Sequence, residues 1–394
     1  MKHKTFRGGV HPKGYKELSL GSPIEDFLPS GDLVFPVNQH IGKPAKPIVK
    51  KGDAVLAGQL IAEADGFVSA NIVSSCSGTV KAIEERHTIS GGRATCIVIA
   101  NDGLFNPAPG IGVDRDASVF SGPQILDAIK WAGIVEGMRL VLRLFPNAKG
   151  VIAIEDNKPE AIEAMTHACE GDANLSVLPV MAKYPEGGER SLIGVVTGRQ
   201  LRFGQLPADL GCVVCNVSTL NAIYRAVCKT EPLMGRLFTV SGDAVANPHT
   251  LFVRIGTSCS ELLEAAGGIK PSSEAKKILC GGPMMGIAMS TLDAPVAKNN
   301  NALTVLASDE VELAEQQMTA CLRCGRCGHV CPIGLVPQMM AEAAERQDYE
   351  RYEKKLYGLD CIACGSCTYI CPAKRPLMQL FKQTKAAIMA AKRK

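Results

Sequence analysis

The chain has 394 residues, 46% of them apolar and 21% charged, which leaves room for about two to four globular domains and excludes a disordered chain. Its net charge of +4, from 43 basic and 39 acidic residues, is too slight to argue for nucleic acid, and no basic stretch is interleaved with base-stacking aromatics. The first ten residues carry Lys2, Lys4 and Arg7 without the apolar core of a secretory signal, and the longest apolar run, 210–228, is broken by Asn216, Ser218, Thr219, Asn221 and Arg225, so the expectation is a reducing compartment and at most peripheral membrane contact.

Residues 1–40 hold glycines at 8, 9, 14, 21 and 31 and prolines at 12, 23, 29 and 36, a density of breakers that predicts a wrapped, irregular leader with short strands. His11 and His40 lie there with no second ligand at metal spacing and read as solvated or capping residues. From 42 to 100, short β-rich pieces (47–49, 54–56, 59–62, 66–68, 72–73, 78–80 and 96–99) alternate with turns at Lys51-Gly52-Asp53 and Ala57-Gly58, as in a small flattened barrel of hairpins. The string 50–59, with Ser77-Gly78-Thr79-Val80, resembles a biotinyl/lipoyl carrier module. A carrier presents a lysine at the tip of its central hairpin, but that tip is Asp65-Gly66-Phe67 and no lysine lies between Lys51 and Lys81. The barrel is therefore read as a docking or scaffolding element.

A loop rich in Gly, Pro and Asp covers 101–122. Helices are expected over 125–134 and 137–144, a fully buried parallel strand over 151–155, a helix over 159–169 and a strand over 175–180, an alternation that defines an α/β layer. Tyr184-Pro185-Glu186-Gly187-Gly188-Glu189 is a tight polar loop opening into a helix over 190–197. A further buried strand is expected over 211–216 and a helix over 218–228. Asn216, Ser218 and Thr219 at the start of that helix suit either a phosphate or a plain N-cap. Cys212 and Cys215, three apart on a strand, would face opposite sides and not chelate. β-runs at 236–242 and 250–254, a helix over 260–266 and a strand over 277–280 before Gly281-Gly282-Pro283-Met284-Met285-Gly286 compose a small α+β unit. The glycine run lacks dinucleotide and P-loop spacing. An acidic amphipathic helix is expected over 309–319, helical structure over 336–355, and a helix over 377–391 ending in Lys392-Arg393-Lys394.

The strongest signal is a pair of cysteine runs. Cys321, Cys324, Cys327 and Cys331 precede Pro332, and Cys361, Cys364, Cys367 and Cys371 precede Pro372, both as C-x2-C-x2-C-x3-C-P. In this two-cluster ferredoxin spacing three thiolates wrap one cubane while the fourth is directed at the other. The partition expected is Cys321, Cys324, Cys327 with Cys371, and Cys361, Cys364, Cys367 with Cys331. Zinc ribbons hold two C-x2-C pairs well apart, and disulfides need an oxidising compartment, so two [4Fe–4S] clusters are the reading. The other eight cysteines read as buried apolar residues.

The order of parts resembles the RnfC family, the C subunits of the Rnf electron transport complexes. The resemblance rests on the lipoyl-like barrel, Tyr184-Pro185-Glu186-Gly187-Gly188-Glu189-Arg190, Asn216-Val217-Ser218-Thr219, Thr239-Val240-Ser241-Gly242, Cys280-Gly281-Gly282-Pro283-Met284-Met285-Gly286 and the two-cluster end. That family is similar to the flavin- and NADH-binding subunit of respiratory complex I. The fold implied is a multidomain α/β and α+β chain with boundaries at 1–100 (leader and barrel-sandwich), 101–235 (truncated Rossmann-like layer), 236–308 (β-grasp-like unit) and 309–394 (helical ferredoxin-like domain with a basic tail). The function implied is that of a peripheral subunit on the cytoplasmic side of the cell membrane. Its complex moves electrons between ferredoxin and NAD coupled to ion translocation, with FMN and NAD(H) beside the clusters and partner subunits around it. Glu189, Asn216 and Thr219 match the rim of the flavin/NAD site.

One departure matters. The family carries a glycine-rich phosphate loop and a strand with an acidic segment after the helix corresponding to 125–135, whereas Val135 is followed here directly by Glu136-Gly137-Met138. Two readings stay open: an oxidoreductase subunit joining a nicotinamide–flavin site to the clusters, or an electron-wire and docking subunit without NAD or FMN activity of its own. The junction implies either a continuous chain with a shortened sheet or a break between 135 and 136.

Overall fold

The computed structural model describes residues 4–114 and 134–392, and the helix expected over 125–134 lies outside them except for its last residue. The strands β1 (Glu25–Phe27), β2 (Leu33–Pro36), β3 (Lys46–Pro47), β4 (Ala54–Val55), β5 (Leu60–Glu63), β6 (Ile72–Val73), β7 (Gly78–His87) and β8 (Arg93–Asn101) come first. Seven of them build two small sheets, β2-β8-β7-β4 and β3-β5-β6. Period-two alternation turns Leu33, Phe35, Ile61, Ile97 and Ile99 into one core, each such side chain contributing about 1.5–3 kcal/mol of burial. Residues 66–68, expected as a strand, are an exposed loop instead. Its Val68 carbonyl accepts the Lys43 N–H at 2.9 Å, outside either sheet, and Phe67 lies in solvent.

The chain continues through α1 (Ile134–Leu144), β9 (Gly150–Glu155), α2 (Pro159–Ala168), β10 (Leu175–Val180), α3 (Glu189–Thr197), α4 (Val217–Lys229), β11 (Gly235–Ser241), β12 (His249–Arg254), α5 (Cys259–Ala265), β13 (Lys277–Cys280), β14 (Ile287–Ala288) and β15 (Ala302–Leu306). It ends in α6 (Glu310–Gln316), α7 (Arg326–His329), α8 (Pro337–Glu345), α9 (Ser366–Tyr369) and α10 (Leu377–Ala391). Two compact units result: one of residues 14–144 and 217–309, the other of residues 1–13, 145–216 and 310–394.

In the first unit β1 joins β12 in parallel, giving a sheet ordered β1-β12-β11-β15-β13-β14 over a core that includes Phe238, Val240, Val253, Leu262 and Val305. Val135 and Glu136 are consecutive residues of α1, so the chain runs through the junction. α1 packs on α4 where Gly137 is buried. A Cβ there would lie 2.3 Å from the Leu220 carbonyl oxygen, closer than any real contact. Gly137→Ala should therefore force the helices apart and cost about 1–3 kcal/mol; an unchanged urea midpoint would refute this packing.

In the second unit β9 and β10 pair in parallel as a sheet with two strands among the described residues. β9 is not fully buried as expected: Gly150 and Ile152 are buried and the rest half-exposed, because two strands cannot cover both faces. Residues 211–216 are not a strand either. They are irregular, Val213 is 65% exposed, and among the described residues no neighbouring strand offers them ladder hydrogen bonds. An N-terminal strap ties the sheet to the cysteine module. Lys4 bridges to Val180, Val10 pairs with Tyr184, and the Gly9 N–H donates to the Val330 carbonyl at 2.9 Å. Gly8 has φ +75°, and a Cβ on it would lie 2.6 Å from Val330 O, so only glycine lets the strap approach this closely.

Candidate metal centre

The cysteine module is a repeat with an offset of 40 residues: Cys321 corresponds to Cys361, Cys331 to Cys371, and the starts of α7 and α8 to those of α9 and α10. Each run bends at the same two places. Arg323 (φ 53°) and Gly325 (φ 75°) in the first match Ala363 (φ 52°) and Gly365 (φ 82°) in the second. Left-handed residues turn the backbone sharply, so each run coils rather than extends. Between the runs the expected helix over 336–355 is interrupted. α8 stops at Glu345, Gln347 is left-handed (φ 55°), and a π-turn over 351–355 delivers Tyr352 into a core with Met340, Phe381 and Ile388.

One pocket collects Cys361, Cys364 and Cys367 from the second run and Cys331 from the first, walled by Leu335, Met340 and Phe381. Backbone N–H groups of Leu335 and Ala363 point at the sulfurs of Cys331 (3.3 Å) and Cys361 (3.4 Å), donors that favour sulfur carrying negative charge. Burial pushes the Cys361 thiol up to about 11 and Cys367 higher still, and the neighbouring thiols of this set add to both shifts. The other four cysteines are arranged more openly. Burial raises Cys327, the charge of Cys371 adds to it, and the Thr319 N–H donates to the Ala373 carbonyl at 3.1 Å, drawing the start of the first run to the end of the second. Cys321 and Cys324 are exposed, beside Leu322 at 63% exposure.

These donors fit iron–sulfur clusters. Four thiols around one pocket suit a polynuclear group rather than a single ion. In metal-free protein, alkylation should reach Cys321 and Cys324 first and Cys331 and Cys364 only on unfolding. Mass spectrometry showing Cys364 modified first would contradict the burial. Of the remaining cysteines, Cys76, Cys96, Cys169 and Cys259 are buried, as expected, and Cys212, Cys215, Cys228 and Cys280 are half-buried.

The flavin rim is not assembled in the same way. Glu189 opens α3 and is exposed; Asn216 directly precedes α4 and Thr219 lies in its first turn, both exposed. After β9 the chain passes through Asp156-Asn157-Lys158 into α2, with no glycine and no side-chain cap, so the described residues do not fit a phosphate cradle there. What the sequence reading missed is Glu186, which sits 2% exposed with neither carboxylate oxygen hydrogen-bonded. Tyr184, in the same loop, donates its hydroxyl to the Cys364 carbonyl at 2.7 Å. Asp360, next to Cys361, accepts the Phe203 N–H and ion-pairs with Arg190 and Arg202 at 3.8 and 3.6 Å. The loop motif was visible in the sequence, but its burial against the cysteine module was not.

A barrel, an α/β layer and an eight-cysteine module in which four thiols line one pocket define a multidomain iron–sulfur electron-transfer protein. Residues 4–104 match the RnfC barrel sandwich hybrid domain, 124–225 the Nuo51 FMN-binding domain, 237–288 the SLBB domain and 320–376 the 4Fe-4S dicluster domain. The chain is 39% identical to the C subunit of the proton-translocating ferredoxin:NAD(+) oxidoreductase complex of Clostridium ljungdahlii, over 98% of this chain and 95% of that one. It is 36% identical to the C subunit of the Na(+)-translocating ferredoxin:NAD(+) oxidoreductase complex of Acetobacterium woodii, over 100% and 99%. Against the C subunit of the ion-translocating oxidoreductase complex of Pseudomonas aeruginosa it is 35% identical, over 99% of this chain and 56% of that one. The chain belongs to the RnfC family, the C subunits of the ion-translocating ferredoxin:NAD oxidoreductase, or Rnf, complexes. The first two alignments, 439 and 444 positions against 394 residues, exceed the chain by 45 and 50, so those relatives carry at least that many residues without a counterpart here.

Proposed function

We propose that this chain carries electrons through two [4Fe–4S] clusters between the ferredoxin and NAD sides of an ion-translocating complex. Cys321, Cys324, Cys327 and Cys371 would hold one cluster and Cys361, Cys364, Cys367 and Cys331 the other. The observation that carries the reading is the pocket in which Cys331 joins the three thiols of the opposite run. When bound, the clusters supply one-electron chemistry. The chain's own part is to hold one of them beneath Tyr184 and the N-terminal strap, away from water, and to leave the Cys321–Cys324 side open to an electron-exchanging partner. The two-stranded β9-β10 layer is a shortened Rossmann-like sheet on this reading, and the 236–308 unit is β-grasp-like. Among the described residues no helix is long and apolar enough to cross a membrane. Attachment to the cytoplasmic face would come from partner subunits, and high salt should release the chain.

A second reading, a flavin and NAD(H) site on this chain, is favoured by the match of 124–225 to the FMN-binding domain. Reducing the anaerobically purified chain discriminates the two. Dithionite should bleach both clusters while NADH alone leaves them oxidised; bleaching by NADH with stoichiometric FMN present would establish the second reading.

A further inference from the structure

The buried loop between β10 and α3 holds a carboxyl group, that of Glu186. Glu186 is 2% exposed, and both of its oxygens, together with the Ser191 hydroxyl beside the loop, lack a hydrogen-bond partner and touch no water-sized space. A buried carboxyl with no partner is far less costly neutral than charged. Burial pushes the Glu186 carboxyl up to about 7, with Lys183 opposing the shift and Glu155 adding to it.

The charged groups around it leave that proton as the adjustable charge. The Lys183 ammonium donates to the carbonyls of Phe6 and Gly8, the latter at 2.9 Å, and is held by them rather than by the carboxylate. Asp156, at the end of β9, accepts the Ala182 N–H at 2.9 Å. On α3, Glu189 is exposed and Arg190 donates to the Asp360 and Arg202 carbonyls. Lys4 and Arg7 on the strap face solvent. From the cysteine module the loop meets the Cys364 carbonyl, through the hydroxyl of Tyr184, two residues before Glu186 in the chain.

We infer that Glu186 is a proton-accepting site coupled to the cluster held by Cys331, Cys361, Cys364 and Cys367. Resting on the cluster assignment above, the step is the gain of one electron by that cluster from its redox partner, while the Glu186 carboxylate takes one proton from solvent. Added negative charge on the cluster raises the proton affinity of the neighbouring carboxyl, and by linkage the proton raises the electron affinity of the cluster. Glu186 positions charge and does not touch the reacting iron.

The test is a potentiometric EPR titration of the full chain at several pH values between 5.5 and 8.5. In the wild type the midpoint of the buried cluster should fall with rising pH near neutrality, by less than the limit of about 59 mV per unit for one proton per electron. The exposed cluster should not shift, and Glu186→Gln should flatten the buried one. A flat wild-type profile, or a slope that survives Glu186→Gln, overturns the inference. Should the variant fold poorly, the wild-type infrared difference spectrum on reduction decides: a protonated-carboxyl band must appear, and its absence overturns the inference. Missing cluster signals would instead refute the cluster assignment itself.

Discussion

Replacing Cys371 with Ser should lower the iron content from about eight to about four per chain and leave the buried cluster intact, since in the proposed partition the fourth thiol of each run serves the opposite site. The structure supports the asymmetry: Cys331 lines the pocket with Cys361, Cys364 and Cys367, and Cys371 acts electrostatically on Cys327. Reduced wild type should show two spin-coupled EPR signals and Cys371→Ser a single uncoupled one, with Cys361, Cys364 and Cys367 still protected from alkylation. Cys331→Ser should do the converse. Loss of protection at Cys361 in Cys371→Ser would show that each run binds its own cluster.

Glu186→Gln should raise stability at pH 8 by up to about 3 kcal/mol and leave it nearly unchanged at pH 4.5. The ordinary carboxyl value of 4.5 is raised to about 7 by burial, so the folded protein binds this proton more tightly than the unfolded chain. A raised carboxyl contributes its full stability below the unfolded value, loses it progressively between 4.5 and 7, and stays at the lower level above. The amide keeps the volume and removes the titration. Urea midpoints at the two pH values check the sign: a variant less stable than wild type at pH 8 would show that the carboxylate has a partner worth more than its desolvation.

Much of this architecture was legible in the sequence because it depends on local spacing. The cysteine runs fix their own coils, the β-rich piece 96–99 lies within β8, and the stretch 377–391 matches α10 residue for residue. The failures share another cause. Residues 211–216 have the composition of a buried strand, but a strand needs a neighbour, and the described residues give β9 only β10. The 336–355 stretch has helical periodicity, yet the core takes Tyr352 whole and breaks the helix to seat it, with Gly358 so close that a Cβ would fall 2.2 Å from the ring. Glu186 could not be found by pattern, because what singles it out is the absence of any partner within a packed interior.

On the proposed function this chain holds two cubane clusters on eight cysteines. Iron and acid-labile sulfide measured on anaerobically purified protein test it most directly. About eight of each per chain is the predicted result; two zinc ions without sulfide, or four iron with all eight cysteines intact, would contradict it.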